Sequence, residues 1–140
     1  MAKKVFVSFD YENDKHYKFL LEAWDKNPDF DFVFSDHSSQ EINSDDITRV
    51  KAGLTTKINS AEITLVIIGK EANKLHSDYE KIGYRNWINF EVAKSVEAGN
   101  SLIAVKLDRE YTSPEEIVGQ KAQWVMSFNE EDIVEAINNA

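Results

Sequence analysis

An α/β fold, with helices on both faces of a parallel sheet, is what the 140 residues of this chain predict. Three observations point to it. Short apolar runs rich in β-branched residues alternate with longer stretches of helical periodicity. The most hydrophobic run, "EITLVIIG" at 62–69, has the composition of a central strand covered on both sides. Strands and helices alternate at a spacing that fits right-handed crossovers, which join parallel strands.

Val5 to Phe9, in "KKVFVSFD", form a buried strand ending at Asp10. A helix follows in "DYENDKHYKFLLEAWDKNPD", where Asp10 or Asn13 can cap it, His16, Leu20 and Trp24 repeat at helical spacing, and Asn27 and Pro28 stop it. "FDFVFSD" at 30–36 alternates Phe30, Phe32 and Phe34 with Asp31, Val33 and Ser35, which suits an outer strand with one less buried face. Ser44, with Asp45 and Asp46 behind it, opens a second helix whose apolar stripe is Ile47, Val50, Leu54 and Ile58. After the central strand, a polar segment over 70–85 leads to the helix in "YRNWINFEVAKSVEAG", which Gly99 ends. "SLIAVKL" at 101–107 is a fourth strand and "AQWVMSF" at 122–128 a fifth; "SPEEIV" has room for one helical turn, and Asn129 caps a closing helix. Trp24 and Trp124 read as core. Five strands in one domain spanning 1–140 suggest the flavodoxin-like order 2-1-3-4-5.

In such sheets ligands bind beyond the carboxyl ends of the strands where strand order reverses, here between the first and third. That rule selects Ser8, Phe9, Asp10 and Tyr11, then Asp36 and His37, then Gly69, Lys70 and Glu71. The helix carrying Trp87 and Glu91 starts on the same rim.

Composition narrows the chemistry. Sixteen basic against 25 acidic residues give a net charge of −9, which repels nucleic acid and anionic membranes. The absence of cysteine excludes disulfides, thiolate zinc sites and cysteine nucleophiles. No signal peptide or membrane-spanning run is legible, so the expectation is a soluble, cytoplasmic protein. No glycine-rich phosphate cradle exists among five glycines, the phosphoacceptor aspartate of a receiver domain is missing from "VIIGKE", and His16, His37 and His76 lack metal-ligand spacing. No metal or resident cofactor is expected.

Glu91 sits among Ile88, Phe90, Val92 and Val96, one turn from Trp87. It is either a salt-bridged or wet residue bordering a buried stripe, or the charge of a pocket walled by Trp87. A carboxylate in the second setting can hold ribose hydroxyls and stabilise an oxocarbenium ion. Asp10 is a helix cap or a ligand; Lys70 reaches a pyrophosphate or is solvated; Ser8 contacts the ligand or fits a tight strand end.

"KKVFVSFDYE", "ITLVIIGKE" and "RNWINFEVAKSVEAGNSLIAVKL" together resemble the TIR-like family of bacterial immunity, most of all its Thoeris anti-phage branch. The resemblance runs from about Lys3 to Leu107, and its most specific parts are the strand-three "GKE" and the W-x-x-x-E helix. It implies an enzyme that cleaves the nicotinamide–ribose bond of NAD, its substrate, and cyclises the ADP-ribose into a signal read by a separate effector. It also implies that Glu91 is catalytic with Trp87 beside it, that Ser8, Phe9 and Asp10 line the nucleotide site, and that the loop 36–44 contacts a neighbouring subunit. Phe9, Tyr11 and Trp87 would be the aromatic walls. Two other readings stay open: a non-catalytic TIR scaffold, and a nucleoside deoxyribosyltransferase-like enzyme on the same type of sheet.

Overall fold

The computed structural model describes residues 3–25, 32–35 and 46–140. Its elements are β1 (Lys3–Ser8), α1 (Tyr11–Asp25), β2 (Phe32–Ser35), α2 (Ile47–Asn59), β3 (Ile63–Ile68), α3 (Tyr79–Ile82), α4 (Trp87–Ala98), β4 (Ser101–Lys106), β5 (Ala122–Val125) and α5 (Glu130–Asn138). The five strands form one parallel sheet of order β2-β1-β3-β4-β5, as the alternation predicts.

The period of two along each strand divides the core into two layers. Val5, Val7 and Phe9 join Ile63, Leu65, Ile67, Ile103 and Val105 on one face, under Leu21 of α1 and Ile133 and Ile137 of α5. Phe6, Val66, Ile68, Leu102 and Ala104 point to the other face, which α2 and α4 cover with Val50, Leu54, Ile58, Ile88, Phe90 and Val92. All six residues of β3 are buried, because this central strand has a helical layer above and below it.

Several local expectations change. In α1 the inward face is Asp14, Tyr17, Leu21 and Trp24, not His16 and Leu20, which are exposed; steps of three and four residues from Trp24 trace the buried stripe. Helix α2 begins later than Ser44: Asp46 is its N-cap and accepts from the Thr48 amide at 3.0 Å. The polar 70–85 segment contains the short helix α3, ended by Gly83 at φ 86°. "SPEEIV" forms turns, with the Ile117 amide bonded to the Pro114 carbonyl at 3.1 Å, and no helix. Trp124 is not core but 44% exposed, because β5 is an edge strand with a neighbour on one side only. Val96 likewise faces out at 40% exposure, whereas Trp24 is partly buried and stacks on Phe128 with centroids 5.3 Å apart. Among the described residues no helix is long and apolar enough to cross a membrane.

Candidate functional site

The site is built where α4 passes beneath the carboxyl end of β1. Asn86 is the N-cap of α4 and accepts from the Asn89 amide at 2.9 Å; Gly99 ends the helix at φ 78°, a left-handed conformation that glycine adopts without steric cost. Between these caps the helix presents three inward directions. Ile88 and Val92 meet β3 and β4, Phe90 with Trp87 meets α2, and Glu91 with Ser95 lies under β1 and β3.

Glu91 is 1% exposed, and Ser8, fully buried at the end of β1, donates its hydroxyl to Glu91 Oε1 at 2.6 Å. Glu91 Oε2 has no hydrogen-bond partner among the described residues. Burial pushes the Glu91 carboxyl up to about 8, against the lowering pull of the Ser8 hydroxyl. One turn further along, Ser95 Oγ donates to the Glu91 carbonyl at 2.7 Å and lies 2.6 Å from Thr64 Oγ1, so that the helix is held under β3. A buried acid with an empty oxygen and a raised pKa departs from ordinary packing, in which nearly every buried polar atom is paired. Such a group is a candidate for chemistry.

Ser8 and Glu91 are thus brought together, 83 residues apart in sequence. Trp87 packs edge-on against Phe90 with centroids 5.6 Å apart, within the layer shared with α2. Phe9 is buried in the opposite layer, with Val7 and Leu21, because it follows Ser8 on a strand whose side chains alternate. Asp10 precedes α1, where its carbonyl accepts from the Asp14 amide at 2.8 Å and its carboxylate from Asn13 Nδ2 at 2.7 Å. Tyr11 is the first residue of α1, and Lys70 is exposed just past β3. Asp36 and the 36–44 loop lie outside the described residues.

Two groups were not picked out by spacing. Asn73, Asn86 and Asn89 form a network around the start of α4: Asn89 Nδ2 donates to Asn73 Oδ1 at 3.1 Å and Asn86 Oδ1 at 2.9 Å, and Asn89 Oδ1 accepts from the Glu116 amide at 2.9 Å. Asn86 Nδ2 also holds the carbonyls of Ala72 and Lys74, both at 2.9 Å. These bonds tie the β3–α3 connection and the 115–119 turns to the helix that carries Glu91. The N-x-x-N pattern at 86–89 was the available signal. The second group is Asp14, a buried acid on the inward stripe of α1. Among the described residues, no three His, Cys, Asp or Glu side chains gather as metal ligands would.

A family model described as "Thoeris protein ThsB, TIR-like domain" matches residues 6–112. A protein of Bacillus cereus (strain MSX-D12) named "Putative cyclic ADP-D-ribose synthase ThsB1" is 25% identical over an alignment of 112 residues that covers 77% of this chain and 53% of that protein. The chain therefore spans about half the length of the curated relative it matches. Among solved structures, a 2-deoxyribosyltransferase from Bacillus psychrosaccharolyticus aligns with TM-score 0.59 and 17% identity, over 94% of this chain and 90% of that one. A 2-desoxiribosyltransferase from Leishmania mexicana aligns with TM-score 0.54 and 12% identity, over 76% of this chain and 65% of the other. At such identities the shared property is the fold.

Proposed function

Since this chain belongs to the Thoeris ThsB TIR-like domain family, we propose that it cleaves the nicotinamide–ribose bond of NAD and closes the remaining ADP-ribose into a cyclic signal for a separate effector. The observation that carries this reading is the Glu91 carboxyl, buried against Ser8 at the strand-order reversal, with one oxygen unpartnered. The name of the Bacillus cereus relative supports the same chemistry.

The reaction asks little of the protein beyond charge and position. When the bond from ribose C1′ to the pyridinium nitrogen breaks, its electron pair goes to the ring, so nicotinamide leaves neutral and needs no general acid. The positive charge moves to the ribose as an oxocarbenium ion, which ionised Glu91 stabilises while holding ribose hydroxyls. A nucleophile from the adenosine end then attacks C1′ and sheds a proton, giving a cyclic ADP-ribose isomer. Water attacking instead gives plain ADP-ribose. A carboxyl closed off from solvent favours the intramolecular route, because positioning replaces the bimolecular encounter and water is excluded. Substrate must part the surroundings of Glu91 to reach it, since the carboxyl is 1% exposed.

The pH dependence follows from the ionisation. Glu91 must lose its proton to work, and in the free protein burial holds it up to about 8. Hence kcat/KM for NAD rises with pH and levels off above about 8, while kcat levels off lower because the bound cationic ring favours the carboxylate. Ser8→Ala removes the hydrogen bond that lowers the pKa and moves the kcat/KM inflection to higher pH. Steady-state rates between about pH 6 and 9 check this; a flat wild-type profile contradicts it.

The direct test incubates wild type and Glu91→Gln with NAD, at high protein concentration and in lysate from phage-infected cells, and reads products by liquid chromatography with mass spectrometry. Nicotinamide plus an unhydrated ADP-ribose species, with Glu91 intact only, is the expected result. The hydrated product alone indicates an NAD hydrolase. Base exchange on deoxynucleosides, with NAD untouched, indicates a deoxyribosyltransferase-like enzyme. Normal partner association by both proteins without turnover indicates a scaffold.

A further inference from the structure

Asp14 does nothing in the mechanism above, yet it has the marks of a ligand-contacting group. It lies on the inward stripe of α1, where Tyr17, Leu21 and Trp24 are apolar, and it is 7% exposed. Its Oδ2 has no hydrogen-bond partner among the described residues. A carboxyl kept for structure is normally paired, and an apolar residue would fill the stripe better.

The end of β3 is shaped around this carboxyl. A Cβ placed on Gly69 would stand 2.1 Å from Asp14 Oδ2 and 2.7 Å from Cγ and Oδ1, so with the carboxyl in this position glycine is what leaves it room. The φ of Gly69 is not positive, unlike those of Gly83, Gly99 and Gly119; space and not backbone conformation is the reason for glycine here. Asp14, in the first turn of α1 after β1, therefore packs against Gly69, the residue just past β3, and strand order reverses between β1 and β3. Ser8 and Glu91 flank the same end of β1 from the opposite layer. The two acids therefore stand on opposite layers of the sheet at the strand ends where ligands bind in such folds.

We propose that Asp14 is a second substrate-binding residue, whose carboxylate takes the ribose hydroxyl pair of the adenosine half of the dinucleotide while Glu91 serves the nicotinamide ribose. The proposal rests on the NAD reading. An ionised carboxyl only accepts, so its ligand supplies hydroxyl or N–H donors, and two carboxyl oxygens match a vicinal diol. The charged groups around it are Asp10, which raises its pKa, and His16, which lowers it; with burial the leading cause, Asp14 is pushed up to about 6 and remains mostly ionised at neutral pH. The adjacent Asp10 disfavours a phosphate at this point, which leaves the sugar hydroxyls as the fitting part of the ligand.

Binding measurements in a non-turning background test this. NAD and nicotinamide mononucleotide, which lacks the adenosine half, are titrated by calorimetry into Glu91→Gln, Glu91→Gln/Asp14→Asn and Glu91→Gln/Asp14→Leu, with thermal unfolding recorded for each. The expected result is a loss of NAD affinity of about tenfold with Asn and more with Leu, unchanged mononucleotide affinity, and melting temperatures no lower than the parent. Equal NAD affinity in all three proteins overturns the role of Asp14 and leaves that of Glu91 standing. Equal losses for both ligands together with lowered melting temperatures make Asp14 structural and also overturn it. If Glu91→Gln binds neither ligand although it is folded, and wild type releases no nicotinamide, both readings fall.

Discussion

Glu91→Gln is expected to lower NAD cleavage by about a thousandfold or more and, at the same time, to yield a protein more stable than wild type at neutral and alkaline pH. On the proposed mechanism, the loss follows from removing the negative charge that meets the oxocarbenium ion. The gain follows from proton linkage. Folding raises the Glu91 pKa from 4.5 to about 8, so below about pH 4.5 both states are protonated and no penalty exists. As pH rises toward 8 the unfolded chain gives up its proton and the folded one retains it, and stability falls by roughly 1.4 kcal/mol per pH unit. The total is of order several kcal/mol by pH 9, a large share of the stability of a small domain. Glutamine does not titrate, and its carbonyl still accepts from Ser8. Urea unfolding of both proteins at about pH 5, 7 and 9 checks the claim: the curves should separate steadily with pH, and a constant difference contradicts the buried, protonated state. Asp14 has a raised pKa too, but it contributes equally to both proteins and cancels.

Asn89→Asp is expected to destabilise the protein by about 3–5 kcal/mol, with much of the loss recovered in acid. Asn89 is fully buried, and its amide nitrogen faces two carbonyl oxygens, those of Asn73 and Asn86, at 3.1 and 2.9 Å. A carboxylate there removes both donors and puts a negative charge against two acceptors, and among the described residues no cation hydrogen-bonds the Asn89 side chain, Arg85 bonding the backbone carbonyl of Asn73 instead. Protonation restores one donor, hence the recovery at low pH. Because the same side chain accepts from the Glu116 amide, the substitution also loosens the 115–119 turns from α4, and the Ser8–Glu91 bond loses the fixed helix start that registers it. Denaturant melts at about pH 4 and 7 test the stability change. A loss under about 1 kcal/mol at neutral pH shows that the network does not hold the helix.

The layered fold was legible because strands and helices leave periodic marks that need no partner to be read. "EITLVIIG" is apolar on both faces whatever it packs against, and Gly99 and Asn129 mark helix ends by local backbone chemistry. Where a face depends on what lies opposite, the pattern misled. His16 and Leu20 have helical spacing with Trp24, but the stripe that meets the sheet shares only Trp24 with them and otherwise runs one step away, through Tyr17 and Leu21. Trp124 has a core residue's chemistry and an edge strand's exposure.

The candidate site divides in the same way. Local sequence placed an acid, Glu91, on an apolar helix beside a tryptophan, and strand order placed Ser8 and Asp10 on the rim where ligands bind. Whether that acid is wet or buried, and that it pairs with Ser8 and not with a cation, depends on how α4 docks beneath β1, a contact between residues 83 apart. The same holds for Asp14, whose resting place is the missing side chain of Gly69, just past β3. Helix and strand periodicity are properties of neighbours in the chain and can be read along it. The pKa of a carboxyl is set by desolvation and by partners that only folding brings within hydrogen-bond distance.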